Sequence, residues 1–143
     1  MTTDSITAAQ AACDRACDAA ARAQAVFEAL DDAIVAGGYG RTVGAELVRL
    51  RDYIEAEANA AYTYAELAQD AVIHLRGYAH RRDASSPAPG LEAAAGETIA
   101  LLAARAERYA TAADKRVRDA VARSPYREIV ADMIAAYADV YAG

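Results

Sequence analysis

Apolar residues recur every three or four positions through most of the chain, and no stretch alternates with the two-residue period of a strand. The longest such run covers 42–80. Val43, Leu47, Leu50, Ile54, Ala58, Ala61, Ala65, Ala68, Val72, Leu75 and Ala79 fall on one face of a helix, and Arg49, Asp52, Asn59, Glu66, Gln69 and Asp70 fall on the other. The pattern predicts a single amphipathic helix, about 58 Å long at the usual rise per residue. Gly40 permits the turn ahead of it and Thr42 is placed to cap it. Alanine lines the middle of the stripe and larger residues line its ends. The sequence therefore predicts a bundle with a tight waist, because alanine lets two backbones approach closely.

The segment before it predicts a helix over about 4–36. Ile6, Cys13, Ala20, Phe27 and Ile34 fall every seven residues, with Ala9, Ala16, Ala23 and Leu30 three further on, a heptad seam that suits packing against the second helix. Gly37-Gly38-Tyr39-Gly40 breaks the two apart, and so short a break predicts antiparallel neighbours. Two serines, two prolines and a glycine mark 83–90 as a loop. Leu91, Ala95, Ile99, Leu102, Ala106, Tyr109, Ala113, Val117 and Ala120 predict a third helix over 91–122, spaced close enough to 3.6 to be nearly straight. Ser124 as cap and Pro125 at the first helical position then restart the chain as a short helix over 125–141. The expected fold is all-α. It is an elongated antiparallel helical bundle of three long alanine-rich helices plus a short C-terminal helix, in one domain over 1–143.

Composition sharpens this picture in one respect. Forty-one of the 143 residues are alanine, whereas Leu, Ile, Val and Phe together number only 25. Alanine is the best helix former, so the helices are secure, but the supply of large core side chains is thin. Burial of further surface by self-association is the usual remedy for such a core. Fourteen arginines stand against a single lysine, Lys115, a bias that with so much alanine points to a GC-rich genome. The net charge of −6 argues against unaided binding to nucleic acid or to an anionic membrane. The first 24 residues have an acidic start and no apolar core, unlike a signal peptide, and no run is apolar enough to span a membrane. Two cysteines do not make a disulfide framework, so a cytoplasmic location is expected.

Candidate chemistry is sparse. Cys13 and Cys17 lie one turn apart, but two thiolates alone do not complete a zinc or Cu(I) site, and they stand where alanine stands in neighbouring heptads. Glu66, Asp70 and His74 form an i, i+4, i+8 ladder on the polar face, without the Glu-x-x-His pair of carboxylate-metal bundles. The glycines of 38–44 precede a helix, yet lack the strand and the Gly-Lys-Ser/Thr of a phosphate loop. No catalytic residue, metal site or cofactor is therefore expected. Glu57 is the exception among polar positions, since the register puts it on the core side between Leu50 and Tyr64. A buried carboxylate needs a partner, with an arginine from another helix, Arg105 for instance, or a tyrosine hydroxyl the candidates, and it would fix the register of the seam.

Arg76-Gly77-Tyr78-Ala79-His80 resembles the arginine–histidine signature of the HEPN ribonucleases, which are also four-helix bundles. The resemblance implies RNA cleavage by Arg76 and His80, although three residues separate them here where that family has four to six. It covers five residues, and with a carboxylate-metal enzyme it forms the alternative functional reading.

The leading reading is a non-enzymatic interaction or assembly protein, either self-associating or a small subunit, accessory or inhibitor protein of the kind phages and plasmids encode. Nine tyrosines against one phenylalanine and no tryptophan suit half-buried contact surfaces. Tyr126, Ile129, Met133, Tyr137 and Tyr141 gather on one side of the last helix and are the expected partner-binding stripe. Charge is also divided along the chain. Residues 1–36 carry −4 and 105–123 carry +3, a polarity that suits head-to-tail docking of copies or docking on another protein. The same basic half of the third helix is the basis of a further alternative, association with nucleic acid.

Overall fold

The structure is a computed structural model that describes residues 2–80 and 89–122. It holds three helices, α1 (Thr2–Ala36), α2 (Arg41–His80) and α3 (Pro89–Ala122), and every described residue outside 37–40 is helical. The fold is all-α. The expected fourth helix over 125–141, with Tyr126, Ile129, Met133, Tyr137 and Tyr141, lies outside the described residues, as does 83–88 of the expected loop.

The helices pack pairwise, each against the other two. α1 and α2 are antiparallel: Arg51 meets Asp31 near the turn, and Arg76 reaches Gln10 at the far end. α2 and α3 are antiparallel too, with Tyr64 against Tyr109 and Glu57 against Arg116. α3 therefore runs parallel to α1, and Arg15 pairs with Glu107 across that seam at 3.4 Å.

The turn between α1 and α2 departs from expectation in detail. Gly37 and Gly38 take the left-handed backbone, at φ 74° and 96°, and the Gly37 N–H donates to the Ala33 carbonyl at 3.2 Å. That is the usual way a helix ends, since glycine adopts this conformation without a Cβ clash. The Gly44 N–H donates to the Gly40 carbonyl at 2.8 Å, so Gly40 stands at the capping position. Thr42 lies inside the first turn and is not the cap. α3 also begins two residues before Leu91. Pro89 can open a helix because the N–H it lacks would have no partner in the first turn.

The core follows the seams read from the sequence. Among the described residues, sixteen of the twenty-five buried apolar side chains are alanine. They form a waist of Ala9, Ala16, Ala23, Ala61, Ala68 and Ala106, and their neighbours, where three backbones approach closely. The largest enclosed side chains sit toward the two ends. Val26, Leu30, Leu47, Ile54 and Val117 cluster near the glycine turn, and Val72, Leu75 and Ile99 lie at the opposite end. Each alanine withdraws only a methyl group from water, so stability comes from helix propensity and from these two clusters. Among the described residues, no helix is long and apolar enough to cross a membrane.

Candidate functional site

The features beyond plain core packing concentrate where α2 meets α3. Tyr53, Glu57 and Tyr64 recur at spacings of four and seven, which turns them toward α3 at the margin of the apolar stripe. Arg105, Tyr109 and Arg116 do the same on α3, in reverse order because the helices are antiparallel.

Glu57 is buried at 8% exposure, the one charged residue so enclosed among those described. Its register placed it there from sequence. Its partner is an arginine from another helix, as expected, but at Arg116 rather than Arg105, and the Arg116 Nε donates to Oε1. The other oxygen, Oε2, is buried without a hydrogen-bond partner. The Arg116 guanidinium also lies over the ring of Tyr53, 4.6 Å from its centre. Arg105 stands farther along the seam and lies over Tyr64 at 5.6 Å, and Tyr64 stacks on Tyr109 with centroids 5.8 Å apart and planes 14° from parallel. Arginine and tyrosine thus form a ladder along the seam, in which each guanidinium lies over the negative face of a ring and two rings stack on each other.

Exposed apolar residues flank this ladder. Tyr53, Leu67 and Leu101 are 53%, 46% and 53% exposed. At its end near the glycine turn, a cleft of about 420 Å³ opens between Glu46, Arg49, Leu50, Tyr53, Arg116 and Asp119.

The outer surfaces differ in charge. Asp14, Asp18, Glu28 and Asp32 are exposed along the outside of α1, and Arg105, Arg108, Lys115, Arg116 and Arg118 are exposed on α3. The ion pair across the α1–α3 seam, Arg15–Glu107, joins a base of α1 to an acid of α3, so it draws on neither row.

Cys13 is buried and Cys17 half-buried; both are free thiols, and the Gln69 Nε2 donates to the Cys17 sulfur at 3.2 Å. Burial, and next the closeness of Cys17, push the Cys13 thiol up to about 11, which keeps it protonated and a poor metal ligand or nucleophile near neutrality. Glu66, Asp70 and His74 are exposed, and His74 Nδ1 lies 2.7 Å from the backbone carbonyl of Asp70. Arg76 donates to Gln10 of α1, which ties the arginine of the Arg76–His80 pair to the bundle; the His80 side chain lies outside the described residues. Of the glycines of 38–44, Gly38 and Gly40 lie in the interhelical turn and Gly44 lies in the first turn of α2.

The arginine–tyrosine ladder escaped the sequence reading, which sought contact residues on the last helix. Its signal was present as Tyr and Arg flanking the apolar stripes of α2 and α3 at helical spacing. No protein family, curated protein or solved structure matches the chain.

Proposed function

We propose that this chain is a non-catalytic interaction and assembly protein, and that the α2–α3 face is its contact surface. The observation that carries the reading is the ladder of Tyr53, Tyr64, Tyr109, Arg105 and Arg116 between exposed Leu67 and Leu101. Tyrosine and arginine are the residue types that dominate binding energy at protein interfaces, since each brings large area and a polar tip at low entropic cost. Here the stacking and the cation–π contacts hold them in place before any partner arrives, which lowers the cost of ordering them on binding.

The partner is an acidic protein surface, because the contact face is edged by Arg105, Arg108 and Arg116. The chain itself carries one in Asp14, Asp18, Glu28 and Asp32 on the outside of α1. A second copy is therefore the partner we assign, docked with its α1 on this face. Association also supplies apolar burial that the alanine waist lacks. The free thiols of Cys13 and Cys17 fit a reducing compartment, such as the cytoplasm.

Light scattering across a range of protein concentration and salt tests the reading. A mass above the 15.0 kDa of one chain at low salt, falling as salt rises, is the expected result. A mass of one chain at every concentration and salt would overturn it.

A further inference from the structure

The outer side of α1 carries charge in a pattern set by its core positions. Ala16 and Leu30 are 0% exposed where α1 meets its neighbours. Asp14 and Asp18 stand two residues either side of Ala16, and Glu28 and Asp32 two residues either side of Leu30. Two residues turn a helix by about 200°, so all four carboxylates point away from α2 and α3, and all four are exposed. Because each helix packs against the other two, the bundle is triangular in section. The acidic ridge of α1 therefore lies on the opposite side of the molecule from the groove between α2 and α3.

Ridge and groove also match in spacing. The centres of the two acidic pairs are fourteen residues apart, about 21 Å along α1. In the groove Arg105 and Arg108 form one basic group, and Arg49 and Arg116 share the cleft at the other end. Glu57 is level with Arg116 and Tyr64 with Tyr109, so Arg116 lies about 14 Å and Arg49 about 26 Å along from the first group. The ridge spacing falls between those two values, within reach of flexible guanidinium side chains. Glu46 and Asp119 in the same cleft offset part of its charge, so Arg105 and Arg108 are the stronger anchor.

We propose that copies of this chain assemble head to tail into an open line, the α1 ridge of each seated in the α2–α3 groove of the next. This form of assembly rests on the reading of the α2–α3 face as the contact surface. A closed dimer with two-fold symmetry needs both contacting surfaces on one side of the molecule. Here a copy seated in the groove leaves its own groove facing away from the first copy. Each addition displaces the next copy in the same direction, so the line does not close. One end always shows a free ridge and the other a free groove.

The test is light scattering of the parent and two full-length variants over a range of concentration at low salt. Asp14→Arg/Asp18→Arg reverses half of the ridge and spares the groove, whereas Leu101→Glu spoils the groove and spares the ridge. All three positions are exposed, so circular dichroism of each variant should match the parent. The parent mass should rise with concentration past 30 kDa, twice the 15.0 kDa of one chain. Each variant alone should keep the mass of one chain, and Glu28→Arg/Asp32→Arg should behave as the first ridge variant does. An equimolar mixture of Asp14→Arg/Asp18→Arg and Leu101→Glu should form pairs and nothing larger, because one intact ridge meets one intact groove and both remaining surfaces are spoiled. A parent that stops at two chains would overturn the open line while leaving the contact face standing. So would ridge variants that assemble like the parent, or a mixture in which no pair forms. A parent of one chain at every concentration would remove the contact face itself, and the line with it.

Discussion

Arg116 of α3 donates its Nε to the buried carboxylate of Glu57 on α2 and lies over the ring of Tyr53, 4.6 Å from its centre. One side chain thus bridges two helices and lies against an aromatic residue of the proposed contact face. The pair is asymmetric: the Glu57 side chain is 10% exposed and that of Arg116 is 42% exposed. Removing the arginine strands a buried carboxylate, whereas removing both charges strands nothing.

Arg116→Ala should therefore destabilise the fold by about 1–3 kcal/mol, less than a fully buried pair would lose because Arg116 is partly solvated. The double variant Glu57→Met/Arg116→Met should recover most of that loss. Denaturant melts of both variants check this. An Arg116→Ala loss below about 0.5 kcal/mol would mean that the pair does not hold the seam.

How far this arrangement could be read in advance depends on which contacts are local. The three helices follow from apolar spacing within each segment, and residues such as Ala16, Ile54 and Ile99 proved buried because period and face are properties of one helix. Glu57 was placed in the core by the same logic. That an arginine of another helix would meet it was also legible, but which one was not, because choosing between Arg105 and Arg116 requires knowing how far α3 slides along α2, which the intervening 81–88 does not encode in any periodicity. The Thr42 cap failed because glycine is itself accepted at the capping position, and the helix begins after Gly40, two residues earlier than the hydroxyl suggested.

The alanine waist has no spare volume where three helices meet. Ala16 is 0% exposed, and replacing it with leucine should destabilise the fold by about 1–3 kcal/mol by forcing the backbones apart. Leu30→Ala, in the cluster near the turn, should cost about 2–5 kcal/mol through the cavity it leaves. Thermal melts of the two variants give the comparison. An Ala16→Leu protein as stable as the parent would show that the waist is loosely packed.

Alkaline pH should weaken the fold through Cys13. Its thiol is held up from 9.0 to about 11 in the folded chain, chiefly by burial, so above pH 9 the unfolded chain loses this proton while the folded chain keeps it. Stability from this group is fully present below pH 9 and is lost as pH rises from 9 toward 11. Cys13→Ala should flatten that part of the pH profile, as followed by circular dichroism in denaturant. An unchanged profile would remove Cys13 as the cause.

The account's central claim is that the α2–α3 face is where copies meet. Leu101 is 53% exposed on that face and contributes nothing to the buried core, so Leu101→Glu should leave the helical fold intact while placing a charge inside the contact. The decisive measurement is the mass of this variant by light scattering beside the parent chain, at one concentration and at low salt. The account predicts an assembled parent and a variant with the mass of one chain. Two proteins of equal mass would contradict it.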